Sequence, residues 1–74
     1  FIEKLSLILL DTLLSDREIE VLKALVKGSS NKQIARDLDL SPNTVKFHLR
    51  SIFETLQVTK RVQAADKAMA LGLI

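Results

Sequence analysis

The sequence predicts an all-α fold, a bundle of four short helices, and three observations carry that expectation. Apolar residues make up 47% of the chain and are mostly Leu, Ile, Val and Ala; only three aromatics, two glycines and one proline accompany them. With few β-branched runs, this composition argues against strands. Helix-start signatures recur at Ser15-Asp16-Arg17-Glu18, Ser30-Asn31-Lys32-Gln33 and Ser41-Pro42. After each of them apolar residues return at the three-to-four spacing of one helical face.

The first helix is expected over residues 16–27. Ser15 and Glu18 have the spacing of a capping box, in which the hydroxyl accepts from the Glu18 amide and the carboxylate reaches back. Leu14 and Ile19 occupy the two places of a hydrophobic staple. Ile19, Leu22, Leu25 and Val26 form the apolar stripe, and Gly28 ends the helix. The second helix, 31–38, opens on the box Ser30 to Gln33 and turns Ile34, Ala35 and Leu38 inward. Asp39-Leu40 supplies a short turn.

The third helix, 42–56, starts at Ser41-Pro42, where serine caps and proline needs no amide partner. Placed at about 100° per residue, Val45, Leu49, Ile52 and Leu56 cluster as a core stripe. Asn43, Lys46, Phe47, Arg50 and Glu54 fall opposite, with His48 and Phe53 on the flanks. A fourth helix is expected over 60–71, capped by Thr59 and ended at Gly72, with Val62, Ala65, Ala68 and Met69 as apolar residues. Residues 1–14 read as an apolar linker or an extra N-terminal helix, and 15–74 as the domain proper.

With 74 residues the chain holds one small domain, which buries only about 60% of the surface its unfolded form exposes. There is no cysteine, hence no disulfide and no thiolate metal site to reinforce it. The first residue is Phe, as expected for a piece of something longer. The apolar run Leu5 to Leu14 is broken by Ser6, Asp11 and Thr12 and is too short to span a bilayer, so no membrane association and a cytoplasmic location are expected. Net charge is +2 but unevenly spread. Residues 1–28 carry four basic and five acidic groups, and residues 29–74 seven basic and four acidic. The second half therefore suits an anionic partner.

A short helix, a tight turn and a longer helix with its own cap is the layout of a helix-turn-helix, whose second helix enters the DNA major groove. Lys46 and Arg50, one turn apart on the outer face, both suit guanine O6 and N7, and Phe47 between them suits a thymine methyl. The plain readings are solubilising cations and, for Phe47, a protein contact or a shifted helical phase. Asn31, Lys32, Asn43 and Thr44 lie in first turns whose free amides favour phosphate; Asn31 and Thr44 read equally well as local caps. His48 reads as a flank residue within reach of phosphate, and without a second histidine or a cysteine a metal role is disfavoured. Lys60 and Arg61 open the fourth helix toward the same side. An enzyme is disfavoured as well: one histidine, no Gly-rich phosphate loop and no carboxylate pair leave no catalytic residue and no cofactor to expect. The rival is a helical protein-interaction module, sigma-factor-like or polymerase-contacting, in which Phe47 and the apolar N-terminal segment form the partner surface.

From Leu14 to Ile74 the chain resembles the LuxR/GerE/NarL-type (FixJ-like) bacterial regulators. The resemblance rests on Ser15-x-Arg17-Glu18-x-Glu20-Val21-Leu22 and Gly28-x-Ser30-Asn31-Lys32-x-Ile34-Ala35. It continues in Ser41-x-x-Thr44-Val45-Lys46-x-His48-Leu49 and Arg61-x-Gln63-Ala64. It implies a four-helix domain that binds double-stranded promoter DNA in the bacterial nucleoid as a homodimer, with RNA polymerase as a further partner. By position it assigns Lys46, Phe47 and Arg50 to bases. It assigns Asn31, Lys32, Asn43, Thr44, His48 and Arg61 to the DNA backbone or to positioning, and Glu18 to capping and structural bonding. Val62, Ala65, Ala68 and Met69 match the dimer surface. Two departures stand out: Thr55-Leu56-Gln57 replaces the family's common Lys-Leu-Gly, and Glu54 places a carboxylate on the outer face. Both imply weaker DNA affinity on the same fold.

Overall fold

Serine hydroxyls start three of the four helices of the described residues. The structure, a computed structural model, describes residues 14–73. They form α1 (Asp16–Val26), α2 (Asn31–Leu38), α3 (Pro42–Leu56) and α4 (Arg61–Ala70), with no strand among the described residues. In α1 the Glu18 amide donates to Ser15 Oγ at 3.2 Å and the Ser15 amide to Glu18 Oε1 at 3.0 Å. Ser30 and Gln33 repeat that box at the same two distances. Ser41 Oγ accepts from the Thr44 amide at 3.1 Å, and Pro42 opens α3. Each pair satisfies amides that a helix start leaves without partners.

The four helices end alike. The chain turns back so that a residue two or three positions beyond the helix donates to a carbonyl five residues earlier: Ser29 to Ala24, Leu40 to Ala35, Val58 to Phe53, Leu73 to Ala68. The pivot of this closure needs positive φ. Gly28 (φ 92) and Gly72 (φ 72) supply it without a Cβ penalty, whereas Asp39 (φ 56) and Gln57 (φ 57) adopt it with side chains. Gln57 thus ends α3 in the left-handed conformation that the family's glycine would favour, and α3 closes at Leu56 as expected.

α3 is the central element and packs on α1, α2 and α4, while α1 also packs on α2 and α4. Leu22, Ile34, Ile52, Leu56, Val21 and Val45 are fully buried at the centre. The α3 stripe of Val45, Leu49, Ile52 and Leu56 is buried as predicted. In α1 the buried stripe is Val21, Leu22 and Leu25, with Ile19 and Val26 only partly covered. The periodicity omitted Val21 because it assumed one partner face, whereas α1 packs against α2, α3 and α4. Leu14 is buried and Ile19 packs on the core, as a staple requires.

α4 departs furthest from expectation. It starts at Arg61 behind Lys60, not behind a Thr59 cap, and no side chain of Lys60 caps it. Gln63 does the work from inside: its Oε1 accepts from the Thr59 amide (3.1 Å), the Thr59 hydroxyl (3.2 Å) and the Lys60 amide (3.2 Å). The residues α4 buries are Ala64 and Ala68, whose small side chains allow close helix approach, while Val62 and Met69 point outward. The apolar reading of residues 1–13 lies outside the described residues.

Candidate nucleic-acid interface

Burial of one α3 stripe obliges the opposite stripe to face solvent. Asn43, Lys46, Phe47, Arg50 and Glu54 are all exposed, Phe47 at 69%. The predicted reading residues therefore share one free surface. His48, half-buried on the flank, meets the Phe47 ring edge-on with centroids 6.1 Å apart. Arg50 Nε lies 3.8 Å from Glu54 Oε1, one turn further along. Between this face and the start of α4 lies a recess of about 360 Å³, floored by Leu49, Phe53 and Val58 and rimmed by Lys46, Arg50 and Arg61.

The expected backbone-facing residues divide into two kinds. Lys32, Asn43 and Lys60 expose their side chains to solvent. Asn31, Thr44 and Arg61 are tied into the scaffold. The Arg61 guanidinium donates to Asn31 Oδ1 and to the Ser29 carbonyl (2.7 Å), joining the start of α4 to the start of α2. A guanidinium has only donors, so the Asn31 amide must present its oxygen and keep its NH2 for another acceptor. Arg61 thus positions Asn31. The Thr44 hydroxyl pairs with Ser41 Oγ at 2.8 Å within the α3 cap.

Glu18 anchors α3 from behind. Burial alone would raise its carboxyl pKa, but the hydrogen bond from the Ser15 amide, with the nearby Ser51 and Ser15 hydroxyls and His48, holds it below its usual 4.5. One carboxylate therefore caps α1 and braces the back of α3. The part played by Ser51 was hidden in the sequence, because a polar residue beside a core stripe reads as surface. Lys67 was missed too: its Nζ donates to the Leu56 carbonyl at 2.7 Å, at the end of α3.

Of the four residues matched to a dimer surface, Ala68 must be withdrawn, since it is fully buried on the inner side of α4. Val62 (71% exposed) and Met69 (60%) lie outward with Ala65 partly covered between them. The family match took all four positions together, while the helix phase separates position 68 from the outer side.

A short helix crossing behind an exposed, cationic second helix defines this as a helix-turn-helix DNA-binding domain. Comparison with known proteins agrees. Residues 12–68 match the family described as bacterial regulatory proteins, luxR family. The HTH-type transcriptional regulator AlkS of Ectopseudomonas oleovorans is 42% identical over 64 residues, 86% of this chain but 7% of that protein. The nitrate/nitrite response regulator NarP of Escherichia coli is 47% identical over 53 residues, 72% of this chain and 25% of its own. Among solved structures, the response regulator ChrA of a heme-sensing two-component system superposes with a TM-score of 0.80 at 46% identity, over 82% of this chain and 30% of that one. The transcription factor GerE gives 0.76 at 36% identity, over 82% and 91%. The chain belongs to the luxR family of bacterial regulatory proteins. No helix among the described residues is long and apolar enough to cross a membrane.

Proposed function

We propose that this chain is the promoter-reading domain of a bacterial transcription regulator, inserting α3 into the major groove with Lys46, Phe47 and Arg50 at the base edges. The observation that carries this reading is the exposure of those three side chains on the α3 face opposite its buried stripe. Lys32, Asn43 and Lys60, with the amides at the starts of α2 and α3, serve as phosphate contacts. Asn31, Thr44, His48 and Arg61 set the register of the groove face. A homodimer through Val62, Ala65 and Met69 would place two reading helices on two half-sites about one DNA turn apart. The chain spans only a small part of the AlkS and NarP regulators; RNA polymerase is the further partner proposed for it, and the nucleoid in the cytoplasm its place of work.

Selection of bound duplexes from random DNA tests this reading, because it returns half-site sequence and spacing together. A reader touching roughly four phosphates gives a log–log salt slope of about −3 to −4. Lys46→Ala and Arg50→Ala are each expected to cost about 1–3 kcal/mol on the selected site and to relax its base preference. If both variants bind all sequences as the parent does, the reading face is elsewhere. Absence of DNA binding at low salt would favour the protein-interaction reading, with exposed Phe47 as its anchor.

A further inference from the structure

The carboxylate of Glu54 stands where a DNA-facing surface should carry none, and helix stability does not explain it. It lies in the last turn of α3, a helix with no basic residue in that turn, so its charge opposes the negative end of the helix dipole. Its partner Arg50 precedes it by four residues, the less favourable order for an ion pair along a helix. Both side chains are largely exposed, 84% and 75%, so the pair adds little to folding in water. It does, however, share the reading face. Seven residues separate Phe47 from Glu54, which brings them to within about 20° of one azimuth and about 10 Å apart along the axis. Phe47, Arg50, Ser51 and Glu54 line one continuous hollow.

The pair is long: Glu54 Oε1 lies 3.8 Å from Arg50 Nε, within ion-pair distance but beyond hydrogen-bond length. An arginine whose Nε side turns toward a carboxylate leaves both terminal amino groups for a bidentate contact, the arrangement that reads guanine O6 and N7. We infer that Glu54 is a specificity-determining, positioning residue: it holds the Arg50 guanidinium edge-on to a guanine, at some cost in affinity for DNA of any sequence. The inference rests on α3 reading the major groove. Displacement of water on docking strengthens the pair, because the local dielectric falls. A carboxylate also repels the phosphates that an unanchored arginine would otherwise seek. Glu54 therefore trades general attraction for discrimination.

The test uses the 74-residue chain and a duplex DNA pool randomised over about 20 bp, wide enough for two half-sites. The parent, Glu54→Ala, Glu54→Gln, Arg50→Ala and the Arg50→Ala/Glu54→Ala double variant are each selected, and their affinity for the unselected pool is measured. Glu54→Ala should lower the preference for guanine at the Arg50-dependent position about tenfold, within the range one bidentate contact provides. The same variant should bind the unselected pool as tightly as the parent or tighter. Glu54→Gln, which keeps an acceptor but not the charge, should fall between. In the Arg50→Ala background the Glu54 change should leave base preference unaltered. If Glu54→Ala tightens binding to all sequences equally and keeps the parent's base preference, the carboxylate is a repulsive charge only and the inference fails. If the parent itself enriches no sequence, the DNA-reading proposal and this inference fall together.

Discussion

Glu18 concentrates several demands in one side chain. It caps α1 through Ser15 and meets the Ser51 hydroxyl and His48 on α3. Its folded pKa lies below its ordinary value, so its contribution to stability is fully present above about pH 4.5 and is lost as pH falls through the lowered folded value. Glu18→Gln is expected to cost about 1–3 kcal/mol near neutrality, because charge-assisted bonds to a partly buried site are lost. The variant should also lose part of the parent's destabilisation below about pH 5. Thermal melts of both proteins across that range measure the two effects, and parallel pH profiles would refute the assignment. Phe47 illustrates the opposite situation: 69% exposed and unneeded by the core, it has its explanation outside the monomer.

At the scale of elements, the two ends of α3 are built differently. The start is self-contained, with the Ser41 hydroxyl, Pro42 and the Thr44 hydroxyl all drawn from adjacent sequence. The end is assisted from α4. Gln57 holds a left-handed conformation that costs a side-chain-bearing residue about 1–2 kcal/mol, and Glu54 opposes the dipole there. Lys67 offsets both by bringing its ammonium to the Leu56 carbonyl. Lys67→Met keeps most of the apolar stem while removing the charge, and is expected to cost about 1–2 kcal/mol. Hydrogen exchange should quicken first in the last turn of α3, before the rest of the core opens. Uniform acceleration across all four helices would mean that Lys67 supports the bundle at large.

Over the whole molecule, α3 divides its surface between a buried stripe and the exposed face proposed to read DNA, while α4 buries Ala64 and Ala68 and turns Val62 and Met69 outward. The proposed dimer surface thus lies outside the monomer's own core. Val62→Lys or Met69→Lys should leave the melting temperature within about a degree or two, as exposed substitutions generally do. On a duplex carrying two half-sites, the same variants should lose cooperative occupancy while keeping affinity for a single half-site. Retained cooperativity would move the dimer contact to another surface.

The four helices among the described residues, the starts at Ser15, Ser30 and Ser41-Pro42, the α3 core stripe and the exposed triad Lys46, Phe47 and Arg50 followed from the sequence by itself. Each is a local matter: a cap is read within four residues, and the phase of an amphipathic helix with one dominant stripe is read along its own length. Tertiary structure alone decided what depends on a second element. Val21 is core because α1 packs against three neighbours, and Ala68 is core because α4 lies close against α1 and α3. Arg61 positions Asn31 across thirty residues of chain, and Lys67 reaches the end of α3 from the next helix. These contacts join side chains far apart in sequence, and no periodicity records which distant carbonyl or amide a cation will meet.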